Sequence, residues 1–157
     1  MKIVLLILIF LFPVFVMAQV LDTDGDGLSD DKEIHIYYTN PYEADTDGDG
    51  YDDGTEIING YSPHFANKRL IEVDQDGDGL SDGYELALNS DILVADTDGD
   101  GYSDGEEFDN SYNPASSSSE KLTKRIEIDT VNQRLKYFLG PVRLDEFSIS
   151  TGAASTP

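Results

Sequence analysis

One twelve-residue pattern constrains this chain more than any other feature. It reads D-x-D-x-D-G-x-x-D-x-x-E and begins at Asp22, Asp45, Asp74 and Asp96, each time without a departure. Aspartates at positions 1, 3 and 5 put three carboxylates on one short loop. Glycine at position 6 (Gly27, Gly50, Gly79, Gly101) permits the sharp turn that gathers them around a common centre. Position 7 offers a backbone carbonyl, position 9 a carboxylate acting directly or through water, and position 12 a glutamate that can bind through both oxygens. A hard dication taking roughly six to eight oxygens suits this donor set, and the pattern is that of a calcium loop. The candidate ligands are Asp22, Asp24, Asp26, Leu28, Asp30 and Glu33 in the first loop, and Asp45, Asp47, Asp49, Tyr51, Asp53 and Glu56 in the second. The third offers Asp74, Asp76, Asp78, Leu80, Asp82 and Glu85, and the fourth Asp96, Asp98, Asp100, Tyr102, Asp104 and Glu107. Leucine and tyrosine enter these sets only through their main-chain oxygen. Four loops predict about four Ca2+.

The charge balance supports this assignment. Among 157 residues, 32 Asp and Glu face 10 Lys and Arg, for a formal net charge of −22. That sign argues against nucleic acid and anionic membrane as partners. Five carboxylates in each of four loops make up 20 of the 32, and four bound dications would bring −22 to −14. Without metal these carboxylates repel one another, so the repeat region is expected to be loose; with metal, binding free energy becomes folding free energy. The chain has no Cys. Within these residues there is neither a disulfide staple nor a cysteine nucleophile, which leaves calcium as the staple. His35 and His64 have no thiol partner and read as ordinary surface or half-buried side chains.

Residues 1–18 read as a secretory signal peptide. Lys2 precedes an apolar run from Ile3 to Val16, and cleavage is placed before Gln19. The alternative is a retained membrane anchor, against which stand Pro13 and a run short of the roughly 20 residues a span needs. Cleavage predicts a secreted or cell-envelope protein with no stable membrane span. Outside the cell, weak calcium sites are filled at millimolar concentrations.

The loops start at 22, 45, 74 and 96, so successive starts lie 23, 29 and 22 residues apart. They therefore form two pairs, residues 19–63 and 74–114, separated by a joint at 64–73. Leu follows the loop glycine in the first member of each pair and Tyr in the second, and the closing segments 59–63 and 110–114 are offset by 51. The larger unit is a duplicated two-ion module of about 50 residues. Each loop should run into a short helix beginning near position 9 or 10, whose apolar residues (Ile34, Ile36, Ile57, Ile58, Leu86, Leu88) are expected to pack between neighbouring repeats. An EF-hand needs a helix entering the loop as well, and Asn40-Pro41-Tyr42-Glu43-Ala44 before the second loop forbids one.

The stretch DTDGDGLSD…E…TNP…ADTDGDGYDDGTE resembles the bacterial thrombospondin type 3 repeats over residues 20–114. The resemblance implies an extended array made rigid by calcium, with short helices and little strand, of the kind that holds another domain away from a membrane or wall.

A Ser-rich linker, residues 115–123, separates this array from β-patterned sequence at 124–157. Arg125 to Asp129 and Arg134 to Leu139 alternate, residues 130–133 join them as a hairpin, and a third strand follows Gly140-Pro141. Three strands are too few to close a core, so the sheet reads as incomplete. The segment IEIDTVNQRLKYFLGPVRLDEFSISTGAASTP is similar to the opening of an L,D-transpeptidase catalytic domain. That similarity implies a secreted enzyme that remodels peptidoglycan through a cysteine acyl-enzyme, whose His and Cys map onto no residue here. No catalytic residue is therefore assigned, and the chain reads as the N-terminal part of a longer protein. A small all-β accessory domain is the alternative.

The expected fold is a mostly irregular, calcium-stabilised repeat array with short helices, followed by an incomplete antiparallel β-meander. The expected function is an exported calcium-binding spacer carrying a peptidoglycan-remodelling transpeptidase. The alternative is a non-enzymatic, calcium-dependent structural or adhesive module.

Overall fold

The computed structural model describes residues 20–150. The proposed signal segment lies outside these residues, as do Thr151 to Pro157 of the transpeptidase-like stretch.

Each loop stays irregular up to its ninth position, where a helix begins: α1 (Asp30–Lys32), α2 (Asp53–Asn59), α3 (Asp82–Leu88) and α4 (Asp104–Asn110). The cause is local. Position 8 (Ser29, Asp52, Ser81, Ser103) is extended, with ψ of 147, 143, 148 and 155°. The N–H of position 9 donates back to the carbonyl just before the loop, from Asp30 to Leu21 at 3.0 Å, Asp53 to Ala44 at 2.8 Å, Asp82 to Val73 at 2.9 Å and Asp104 to Ala95 at 2.9 Å. That bond closes the loop and fixes the first turn of helix. The last three helices stop at a left-handed residue, Gly60, Asn89 and Ser111. There the position-12 carbonyl accepts an N–H five residues on, from Tyr61, Ser90 and Tyr112.

In the first repeat the same closure reaches one residue further, from Thr39 to the Glu33 carbonyl at 3.0 Å, and α1 continues as a π-helix, Glu33–Tyr37. Loop starts lie 23 apart in the first pair and 22 in the second. The wider turn absorbs the extra residue without displacing the glutamate that ends the loop.

The sheet is the expected meander: β1 (Lys124–Asp129), β2 (Arg134–Leu139) and β3 (Val142–Ser148), antiparallel in the order β1-β2-β3. Its apolar face does not stand alone. Leu139 is fully buried against Leu80 and Leu88 of the third repeat, and Tyr84, Phe108, Leu122, Val142 and Leu144 surround them. The Tyr84 and Phe108 rings stack at 5.5 Å. The end of the linker is tied down as well, with Leu122 N–H on the Ser111 carbonyl at 2.7 Å and the Lys124 ammonium on the Asp109 carbonyl at 3.1 Å. The second loop pair thus supplies the partner surface that three strands lack.

Contacts are not confined to successive repeats. Tyr38 Oη, at the end of the first repeat, donates to Asp91 Oδ2 at 2.7 Å beyond the third loop. His64 Nε2 lies 2.7 Å from the Tyr37 carbonyl, while His35 is exposed beside Asp31. A 3-10 turn, Leu70–Glu72, carries the joint onto α3. The expected packing of helix apolar residues holds for Leu88 but not for Ile34, Ile36 or Ile58, which are 50, 41 and 82% exposed. Among the described residues no helix is long and apolar enough to cross a membrane.

Candidate metal centres

The carboxylates at positions 1, 3 and 5 converge in every loop. One oxygen from each lies within 4.8 Å of the others in Asp22/Asp24/Asp26, Asp45/Asp47/Asp49, Asp74/Asp76/Asp78 and Asp96/Asp98/Asp100. Backbone N–H groups hold them there. The position-1 carboxylate accepts from the glycine at position 4 at 2.8–2.9 Å and from the glycine at position 6 at 3.0–3.3 Å. Both glycines take φ between 74 and 102°, which explains why the loop reads D-G-D-G. Position 3 accepts from the N–H of position 5, and position 5 from that of position 7, so each aspartate also locks the turn beside it.

The oxygens left over decide whether a cation fits. Oδ2 of Asp24, Asp47, Asp76 and Asp98 is buried without a hydrogen-bond partner, and so is Oε2 of Glu33, Glu56, Glu85 and Glu107, joined by Oε1 of Glu85. The orphaned carboxylate oxygens fall at positions 3 and 12 in all four loops. A buried anionic oxygen without a donor is costly, and a dication satisfies it. Burial, followed by repulsion from the loop aspartates, pushes Glu33, Glu56 and Glu107 up to about 7 and Glu85 up to about 9. Burial likewise raises Asp76 to about 6. Each glutamate therefore faces the aspartates of its own loop, and a cation placed among them reverses the direction of these shifts.

Position 9 also closes the loop. Asp30 accepts from both the N–H and the hydroxyl of Thr23, at 2.8 and 2.7 Å. Asp53 does the same with Thr46 and Asp104 with Thr97, while Asp82 accepts from the backbone N–H and the side-chain amide N–H of Gln75. Both of its oxygens are engaged, so it clasps the loop entrance to the helix start. The sequence pattern missed position 2 as its partner, although Thr, Thr, Gln and Thr all place a side-chain donor there. At position 7, Leu28 and Leu80 are buried, whereas the Tyr51 and Tyr102 side chains are exposed.

The two loops of a pair also touch. Gly54 N–H donates to Asp26 Oδ2 at 2.9 Å, and Gly105 N–H donates to Asp78 Oδ2 at 2.6 Å. A β-carbon at Gly54 would lie 2.4 Å from the Asp26 carbonyl oxygen, and one at Gly105 would lie 2.5 Å from that of Asp78. At Gly83 the nearest atom is Cγ2 of Ile71 in the joint, at 2.9 Å. The first loop carries exposed Asp31 at this position. Glycine at position 10 marks where the preceding segment stacks, and that signal was present in the sequence but unused.

Four segments of the chain, residues 22–41, 45–60, 74–91 and 96–109, match the family model of the bacterial TSP3 repeat. No curated protein and no solved structure matches the chain.

Proposed function

We propose that each cluster binds one calcium ion and that the four ions are the main support of residues 20–114. The direct ligands are the aspartates at positions 1, 3 and 5, the carbonyl of position 7 and the glutamate at position 12. Position 9 acts as the clasp and reaches the ion directly or through water. The observation that carries this reading is the recurrence of orphaned, buried carboxylate oxygens at positions 3 and 12 in all four loops. The bound ion supplies positive charge; the chain supplies the closed loop that holds the carboxylates against their mutual repulsion. Calorimetric titration of residues 19–157 with calcium should give a stoichiometry near four, and Asp24→Ala should remove one ion while sparing the second pair. Two ions or fewer would overturn the assignment.

In the fuller reading the protein is exported, is secreted or held in the cell envelope, and uses its repeats as a rigid spacer. The sheet then opens an L,D-transpeptidase domain acting on peptidoglycan. The Gln133-Arg134-Leu135 strand and the Ser150-Thr151-Gly152 segment support this, as does an apolar sheet face on which Ile126 and Ile128 remain about 60% exposed to further partners. These residues hold no cysteine, so acyl-enzyme chemistry would reside outside them. The competing reading is a non-enzymatic structural or adhesive spacer. Gene sequence beyond Pro157 separates the two: an H-G-…-C context supports the enzyme, and an immediate stop codon leaves the spacer.

A further inference from the structure

Duplication places two equivalent crevices on the molecule, one beside the second loop of each pair. The first, about 270 Å³, lies at Tyr51 and Tyr61, and its twin, about 390 Å³, lies at Tyr102 and Tyr112. A shift of 51 residues carries one pair of tyrosines onto the other, and likewise Asn59 onto Asn110. The tyrosines are not core residues: Tyr51 is 62% exposed, Tyr102 63% and Tyr61 41%. Each asparagine spends its amide N–H on its own helix, Asn59 on the Thr55 carbonyl and Asn110 on the Glu106 carbonyl. What remains for a ligand is Oδ1, an acceptor, and the second amide N–H.

The twin shows what such a crevice accepts. There the Lys121 ammonium stands over the Tyr112 ring, 4.9 Å from its centroid. The lining of the first crevice includes no Lys or Arg side chain; Asn67 stands on that side instead. Charge favours a cation in both. Asp49 and Glu56 border the first, Asp100 and Glu107 the second, and five carboxylates per loop exceed the charge of one dication by three. We propose that the Tyr51–Tyr61 crevice binds a primary ammonium group brought by a partner, a lysine side chain on a basic segment, while the chain fills the twin with its own Lys121. The ring face of Tyr61 attracts the cation, Asn59 Oδ1 accepts one of its N–H bonds, and the loop's residual negative charge draws it in.

The test is an NMR titration of calcium-loaded residues 19–157 with N-acetyl-lysine methylamide, following the tyrosine ring protons. Tyr61 should shift and Tyr112 should not, and the neutral ε-acetylated probe should move neither. Tyr61→Phe should retain binding, whereas Tyr61→Leu should weaken it about two- to fivefold, the usual worth of one exposed cation–π contact. Lys121→Met should open a second site, reported at Tyr112. Calcium stoichiometry is measured on every variant, so a failure of the metal reading is seen separately. Equal shifts with the neutral probe, pointing to a neutral ligand such as a sugar, would overturn the proposal. So would an unchanged single site in Lys121→Met with four calcium ions bound.

Discussion

Replacing Gly54 with alanine asks whether two neighbouring loops fold as one unit. Gly54 lies within α2 and has no positive φ, so helix propensity alone favours alanine by about 1 kcal/mol. Opposing this, the new β-carbon would sit 2.4 Å from the Asp26 carbonyl oxygen, and ordinary contact begins near 3.4 Å. About 1 Å of separation is required, and the obstructing atom is backbone in a loop already locked by its own aspartates. Overpacking of this kind costs roughly 1–3 kcal/mol. The same separation breaks the 2.9 Å bond from Gly54 N–H to the Asp26 carboxylate, worth about 1.5–3 kcal/mol for a charged acceptor. The net expectation is a loss of about 1.5–5 kcal/mol, read by denaturant unfolding at saturating calcium. Gly105→Ala should behave alike, since its β-carbon would lie 2.5 Å from the Asp78 carbonyl. Gly83→Ala should cost less, because its closest contact, Ile71 Cγ2 at 2.9 Å, is longer than the 2.4 and 2.5 Å approaches at Gly54 and Gly105. A Gly54→Ala chain as stable as the parent, with an unchanged calcium isotherm, would refute the stacking argument.

Two further expectations concern pH and the sheet. In the metal-free fold Glu33, Glu56 and Glu107 rise from 4.5 to about 7 and Glu85 to about 9. A raised folded value favours that fold while the groups hold protons, and the contribution is lost as pH rises from about 4.5 through about 7, and through about 9 for Glu85. Calcium needs the deprotonated form, so affinity should strengthen over the same window; binding near neutral pH should release protons, visible as a buffer-dependent calorimetric enthalpy. Identical isotherms across that window would contradict this. Leu139→Ala, which empties the core shared with Leu80 and Leu88, should cost about 2–5 kcal/mol. Because Leu80 is position 7 of the third loop, calcium should weaken there more than in the first pair. Equal weakening in all four sites would mean that the sheet does not support the second pair.

The sequence reading located the acidic loops, the helix starts and the three strands because each depends on neighbours within about a dozen residues. The carboxylates at positions 1, 3 and 5 converge as the pattern implies, since alternate residues and two permissive glycines suffice to gather them. The same reading misjudged Ile34, Ile36 and Ile58, because helix periodicity says which face is apolar but not whether anything arrives to cover it. Position 9 reads as a ligand in a linear pattern; only coordinates reveal that it also clasps Thr23, Thr46, Gln75 and Thr97.

What the sequence determined by itself is therefore the repeating unit: its donors, its turn and the charge that demands a cation. The tertiary structure decided how the units join. Gly54 on Asp26, Tyr38 on Asp91 and Leu139 on Leu80 connect residues 28, 53 and 59 positions apart. No local pattern encodes such contacts, because they arise when loops that have already closed bury the few apolar and polar groups they leave exposed.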